Sequence, residues 1–357
     1  MKIALVAYLH GNGGAERQII MLANALLNYG HEVYMVITGG NDCRYTIADT
    51  VKCVDITGCE GKTFSIVRRF FALKKALESI RPEITIHYNF QSAYFAVAMP
   101  KKARGKIIYS ERGDPYDDEY SGLLGLIRQH AIKRIDGFVF QTEGARDFFN
   151  ENIRMRSTVI HNPLSISSTK NEFPVVRDKR IVSVGRLHPQ KNQRLLIEAF
   201  ARIATDFKDY SLEVYGDGPL KDELEKLIDE KGLKGQVHLF NARKDIFKAI
   251  RNAAMFVLSS DFEGMPNALM EAMALGMPCI STDCRPGGAR ALIESGVNGV
   301  IVPCGDSDAL ADKMAYLLKN PEEANRYGEK ATHIAETHTP DAIFKQWEQY
   351  IEIISKQ

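Results

Sequence analysis

The chain predicts an α/β fold made of two successive doubly wound, Rossmann-like units. Three observations carry this. Short apolar runs alternate with amphipathic helical segments through both halves, the pattern of parallel sheets with helices on both faces. The alternation breaks once, between His161-Asn162-Pro163 and Asp178, in a Ser-rich stretch that contains Pro163 and Pro174. The length, 357 residues, suits two domains of ordinary size. The expected division is 1–163, 164–338 and a last helix in 339–357.

Composition narrows the function classes. Apolar residues make up 45% and charged residues 25%, as in a water-soluble globular chain. Net charge is +1, which gives no global bias toward nucleic acid. Residues 1–165 hold 21 Lys and Arg against 17 Asp and Glu, and the remainder 25 against 28, so only the first half leans toward anionic surfaces. The six cysteines (Cys43, Cys53, Cys59, Cys279, Cys284, Cys304) form no C-x-x-C pair, which fits a reducing cytoplasm, and Cys279 reads as a small buried hydrophobe. Lys2 to Tyr8 reads as a first strand rather than a leader. No run reaches the roughly 18 apolar residues of a membrane span. The expectation is a cytoplasmic protein, soluble or peripheral on the inner face of the membrane.

In the first half, strand 2–8 leads through Gly11-Asn12-Gly13-Gly14 to helix 15–29, which Gly30 caps. A dinucleotide fingerprint starting at Gly11 would need glycine at position 16, where Glu16 stands, so a cofactor-dependent oxidoreductase is disfavoured. Strands follow at 32–38, 51–55, 83–87, 106–110, 137–141 and 157–161, with helices at 64–79, 122–134 and 143–151. Segment Lys62 to Arg81 interleaves Arg68, Arg69, Lys74 and Lys75 with Phe64, Phe70, Phe71 and Leu73. It reads either as a surface helix packed on the sheet or as an interfacial helix on anionic lipid. The run Asp114 to Glu119 reads as an exposed acidic loop rather than a metal site, and His10, His87 and His161 as structural histidines at strand ends.

The second half repeats the alternation. Strands are expected at 180–184, 211–215, 236–240, 255–259, 277–282 and 299–302. Helices are expected at 192–205, 219–231, 245–252, 267–275, from about 288, from 307 onward, and at 340–354, the last with Trp347, Tyr350 and Ile351 on its apolar face.

Chemistry concentrates in Ser259 to Gly276. The strand ending at Leu258 turns through Glu263-Gly264-Met265-Pro266 into a helix, and Pro266 suits a first helical turn. Ligands of open α/β sheets bind at this edge, and a helix N-terminus there suits phosphate. Two carboxylates, Glu263 and Glu271, would repel phosphate and so suit hydroxyl groups of a ribose or sugar. Glu271 sits among Leu269, Met270, Ala272 and Met273, and a carboxylate in such company needs a partner.

Gly185-Arg186 with Lys191, after another buried strand, completes a pattern. Glu263-x7-Glu271 and G-R-x-x-x-x-K together resemble the signatures of a large retaining glycosyltransferase family of GT-B fold, family 4 (glycosyl transferases group 1). The resemblance implies two Rossmann-like domains facing a cleft, the N-terminal one taking the acceptor and the C-terminal one a nucleotide diphosphate sugar. The last helix would cross back to the first domain. Gly13 and Gly14 would lie near the donor diphosphate, which Arg186 and Lys191 would bind. Asn241 to Lys244, around Arg243, would read the base, and Glu271 the ribose. Glu263, with the N–H groups of Gly264, Met265, Pro266, Asn267 and Ala268 (proline lacking one), would hold the hexose and phosphate. Catalysis would rest on Arg186, Lys191 and Glu263, without a bound metal.

The chain departs from the family pattern at Arg112, where many relatives place a histidine, and at Ala291, where relatives often carry an acid. Arg112 cannot act as a base but can bind a phosphate or acceptor oxygen. The reading is transfer of a hexose or N-acetylhexosamine from a UDP-sugar to a glycan or lipid-linked acceptor, with retention, in cell-surface polysaccharide synthesis. A GDP-mannose-dependent transferase and a non-catalytic nucleotide-sugar-binding subunit remain as alternatives.

Overall fold

A computed structural model describes residues 1–9, 13–40, 45–59, 65–116, 122–165, 176–243 and 245–357. Outside them lie His10, Gly11, Asn12, Cys43, Lys62, Phe64, the Asp117 to Glu119 part of the acidic run, most of the Ser-rich linker, and Lys244. The chain divides into one unit of Met1–Pro163 with Pro340–Gln357 and another of Leu164–Thr339.

The first unit holds strands β1 (Lys2–Ala7), β2 (Glu32–Ile37), β3 (Lys52–Asp55), β4 (Ile84–His87), β5 (Lys106–Ser110), β6 (Gly137–Phe140) and β7 (Ser157–Val159). They form a parallel sheet in the order β3-β2-β1-β4-β5-β6-β7. Ile3, Leu5, Ile84, Ile86 and Ile108 are fully buried, as expected where helices cover both faces. Helix Gly14–Asn28 lays Ile19, Leu22, Ala23 and Leu26 on the sheet and ends where Gly30 takes φ +80°. The last helix, Pro340–Lys356, belongs to this unit and buries Ile343, Phe344, Trp347, Tyr350 and Ile351. The Tyr350 hydroxyl accepts from Phe138 N (2.9 Å) and donates to Arg156 O (2.6 Å), and Glu348 meets His31 Nε2 at 2.7 Å.

The second unit holds β8 (Asp178–Val184), β9 (Ser211–Tyr215), β10 (Val237–Phe240), β11 (Ala253–Leu258), β12 (Cys279–Thr282) and β13 (Val300–Val302). They pair in parallel in the order β10-β9-β8-β11-β12-β13. Both sheets reverse their strand order once, between β1 and β4 and between β8 and β11. These are two Rossmann-like domains, the fold class expected above.

Several elements differ from the expected ones. Helices Phe90–Val97 and Lys101–Arg104 stand where none was anticipated, because Asn89 caps the first through bonds to Gln91 N and Ser92 N. Asn150 likewise starts a separate turn, Glu151–Arg154, after Glu143–Asp147. The helix expected from about 288 is a run of turns. Gly287 takes φ +91° and Gly296 φ +83°, and Asn298 Oδ1 accepts from Glu294 N, pulling the backbone out of helical pairing. Arg69 does not join Arg68 and Lys75 on the exposed face of helix Ser65–Ile80. It falls one turn before Leu73, on the buried stripe with Leu77 and Ile80, and its Nη1 donates to Gln91 (3.2 Å). Lys74 spans to Glu78 at 3.8 Å. No helix among the described residues is long and apolar enough to cross a membrane.

Candidate functional site

The strand order places the motif residues. In an open parallel sheet, loops at the C-terminal ends of the two strands flanking the reversal diverge and leave a crevice. In the second unit those strands are β8 and β11. The loop after β8 carries Arg186 and Lys191, and the loop after β11 carries Ser259, Ser260 and Glu263.

Glycines hold the first loop down. Gly185 N bonds Tyr215 O (3.0 Å) and Leu187 N bonds Asp217 O (2.9 Å). A Cβ on Gly216 would lie 1.9 Å from Gly185 O, and one on Gly218 2.2 Å from Leu187 O. The chain then turns through Pro189–Lys191 to Asn192, which adopts φ 42°, ψ 50° and caps helix Gln193–Ile203 through Leu195 N (3.1 Å).

The two loops are tied together. Asp261 N donates to Gln190 O (2.9 Å), Gln190 Nε2 to Phe262 O (3.0 Å), Ser259 Oγ to Lys191 O (2.9 Å) and Asn192 Nδ2 to Asp261 Oδ1 (2.7 Å). At the centre, Lys191 Nζ donates to Glu263 Oε1. Ser260 Oγ donates to the same oxygen (2.7 Å), and Thr282 Oγ1 holds Ser260 O (2.6 Å). Glu263 is 6% exposed, and its Oε2 accepts nothing from the described residues. Lys191 has two further ammonium hydrogens to offer. A half-buried cation therefore keeps its carboxylate partner while still able to meet an incoming anion.

Helix Asn267–Ala274 follows Glu263. Its N-cap, Pro266, supplies no side-chain cap, and the positive end of the helix faces the crevice loop. A Cβ on Gly288 would lie 1.9 Å from Gly264 O, so the backbone at Gly288 packs directly against this turn. Glu271, 2% exposed inside that helix, accepts from Ser165 Oγ. Ser165 and Ser260 escaped the sequence reading. Ser260 had a weak signal, a hydroxyl pair closing an apolar strand, whereas nothing in the local pattern singles out Ser165.

The remaining motif residues are placed as follows. Arg186 is exposed, with Nη2 3.4 Å from Gln190 Oε1. Arg243, past β10, is exposed and gives a two-point pair to Asp245 (2.7 and 2.9 Å). Nearby, Tyr215 and Phe240 stack at 4.9 Å. Cys284 is buried, and burial pushes its thiol up to about 12. Cys279, fully buried, is raised further by the same cause. Cys53, Cys279, Cys284 and Cys304 are free thiols, and no group of three metal-binding side chains occurs among the described residues.

In the first unit, Gly13 is the N-cap of helix Gly14–Asn28, and the Glu16 carboxylate folds back over it, 2.0 Å from where a Gly13 Cβ would stand. Gly14 begins the helix under this acidic cover. Arg112 is half-buried, its guanidinium 4.0 Å from the Tyr88 ring and 5.6 Å from Trp347, with Nη1 donating to Asn162 Oδ1 (2.9 Å). Desolvation lowers its pKa. Arg112 is thus built into the packing between β4 and the last helix. His87 is fully buried against Ser92 Oγ (2.9 Å), and burial pushes its imidazole down to about 3.

Sequence comparison agrees with this geometry. Residues 167–334 match the sequence model of "Glycosyl transferases group 1" and residues 12–168 that of "Glycosyltransferase Family 4". The chain is 35% identical over 349 residues to a Campylobacter jejuni N-acetylgalactosamine-N,N'-diacetylbacillosaminyl-diphospho-undecaprenol 4-alpha-N-acetylgalactosaminyltransferase, covering 92% of this chain and 93% of that one. It is 23% identical to an uncharacterized glycosyltransferase of Haemophilus influenzae, covering 94% and 95%. In fold it is similar to HepE of Anabaena, solved in complex with UDP, at TM-score 0.84 and 19% identity over 99% of this chain and 100% of that one. With two Rossmann-like domains, both family signatures and full-length similarity to a named transferase, the chain belongs to the family 4, group 1 glycosyltransferases and is a glycosyltransferase of GT-B fold.

Proposed function

We propose that the enzyme transfers a hexose or N-acetylhexosamine from a UDP-sugar to a hydroxyl of a glycan or lipid-linked acceptor, with retention of configuration, in cell-surface polysaccharide synthesis. The observation that carries the donor side is the Lys191–Glu263 pair at the β8/β11 crevice, beside a helix start without a side-chain cap. The diphosphate would lie on Arg186, Lys191 and the N–H groups of that helix start. Glu263 Oε2 would accept sugar hydroxyls, Glu271 the ribose hydroxyls, and the backbone around Arg243 the base. Charge on the departing diphosphate grows during bond cleavage, so cations placed there act most strongly in the transition state. In a front-face reaction the departing phosphate oxygen takes the acceptor proton, and the protein positions the partners and neutralises charge. No metal is assigned a role.

Two relatives support the choice of donor and acceptor: HepE was solved with UDP, and the Campylobacter jejuni enzyme is named for a diphospho-undecaprenol acceptor. The exposed face of helix Ser65–Ile80, with Ile66, Val67, Phe71, Arg68 and Lys75, suits peripheral contact with anionic lipid. The test is calorimetric titration with UDP, GDP and NAD on wild type and Glu271→Ala. UDP binding that weakens roughly tenfold or more in the variant is expected. GDP binding in its place would overturn the donor, and silence toward both nucleotides would favour a non-catalytic subunit.

A further inference from the structure

The loop after β11 begins with two adjacent buried hydroxyls that serve different partners. Ser259 Oγ donates to Lys191 O (2.9 Å), a main-chain group of the opposite loop. Ser260 Oγ donates instead to the Glu263 carboxylate, at Oε1 (2.7 Å). Ser260 is fully buried, and its backbone is held from behind by Thr282 Oγ1, also fully buried, which donates to Ser260 O (2.6 Å). Glu263 is anchored on the same side, its N–H donating to Arg285 O (2.8 Å). With both backbones fixed, the direction of the Glu263 side chain depends on what holds Oε1. Among the described residues that is the Lys191 ammonium and the Ser260 hydroxyl.

The two donors are not equivalent. The ammonium is half-buried, carries three hydrogens on a flexible stem and is drawn to any anion that enters the crevice. The Ser260 hydroxyl has one hydrogen and no contact with solvent, so the carboxylate is the acceptor it keeps. Once an anion engages Lys191, Ser260 alone fixes the rotation of the carboxylate, and with it the direction of Oε2. The terminal torsion of a glutamate is soft, so an unheld carboxylate would turn freely.

We propose that Ser260 is a positioning residue for the donor sugar: it holds Glu263 Oε1 so that Oε2 stays turned toward the sugar hydroxyls while the diphosphate occupies Lys191. The proposal rests on the donor site described under the proposed function and adds the group that keeps its sugar-binding carboxylate in register. Its effect is selective, because UDP carries the diphosphate without the sugar.

The test measures the affinity of the full chain for UDP and for UDP-glucose, UDP-galactose, UDP-N-acetylglucosamine and UDP-N-acetylgalactosamine by calorimetry. The tightest-binding sugar nucleotide is then compared across variants. Ser260→Ala should keep UDP affinity within twofold of wild type and weaken the sugar nucleotide roughly tenfold. Ser260→Thr, which retains the hydroxyl, should recover most of the loss. In a Glu263→Ala background, Ser260→Ala should change nothing further, since the hydroxyl acts through the carboxylate. Should Ser260→Ala unfold, Ser260→Cys, similar in size and a far weaker donor, takes its place in the same comparison. Equal weakening of UDP and the sugar nucleotide would make Ser260 a support of the loop and overturn the proposal. So would an unchanged sugar-nucleotide affinity, a full Ser260→Ala effect without Glu263, or wild type that binds UDP and none of the four sugar nucleotides. Wild type silent toward UDP and all four overturns the donor reading itself, and the positioning role falls with it.

Discussion

Lys191 and Glu263, 72 residues apart in the chain, meet as a part-buried ion pair across the β8/β11 reversal, with the Ser260 hydroxyl on the same carboxylate oxygen. The pair couples stability to activity at one point. Lys191→Ala leaves the Glu263 carboxylate buried beside a single hydroxyl and should cost about 1–3 kcal/mol of stability. Adding Glu263→Gln should restore most of that loss, because the orphaned charge is removed. Donor turnover should fall roughly 100- to 1,000-fold in Lys191→Ala and not recover in the double variant. Denaturant unfolding and donor-hydrolysis rates on the four proteins of the cycle separate the two effects. Recovery of turnover with stability would show that Lys191 only holds the loop.

Gly216→Ala should disturb the donor loop from a distance. The added Cβ meets Gly185 O at 1.9 Å, and both partners are backbone, so one strand end must move. A stability loss of about 1–3 kcal/mol is expected, with UDP affinity lowered by displacement of Arg186. Thermal melts and UDP titration check this, and a melt unchanged from wild type would contradict the close approach.

Arg112 should behave as a packing residue. Stacked on Tyr88 and bonded to Asn162, it should cost about 2–3 kcal/mol when replaced by alanine. Lysine should recover little, because an ammonium neither stacks in a plane nor spans to Asn162 in the same geometry. Urea unfolding of both variants gives the answer. Full stability with lost acceptor binding would return Arg112 to a ligand-contacting role.

Acid should destabilise the first unit through His87. Its pKa is about 3 in the folded chain against 6.5 when exposed, so the unfolded chain binds a proton that the native one refuses. Stability is therefore fully present above pH 6.5 and falls with pH below it, by up to about 1.4 kcal/mol per pH unit until the folded pKa is reached. His161, also lowered by burial, acts in the same direction. His87→Gln should flatten this slope in urea titrations between pH 4 and 7, and an unaltered slope would assign the acid sensitivity elsewhere.

The amino-acid sequence by itself determined the fold class and the family. Strand hydrophobicity and helical periodicity are local and survive without knowledge of neighbours, as β1 and β11 illustrate. The motifs of Gly185 to Lys191 and Glu263 to Glu271 are likewise read within short windows. Other features needed the tertiary structure. The pairings of Lys191 with Glu263 and of Ser165 with Glu271 join residues separated by 72 and 106 positions, and strand order alone brings them together. Arg69 and Arg68 are equivalent in composition, and only the direction of helix Ser65–Ile80 on its sheet turns one inward and leaves the other in water. The turns after Gly287 replaced an expected helix where Gly287 and Gly296 take positive φ and Asn298 Oδ1 accepts from Glu294 N, and the close approach of Gly288 to Gly264 O is a contact between loops that no local propensity encodes. Local chemistry set the elements. Non-local packing decided which charged groups were matched and which were left facing open space.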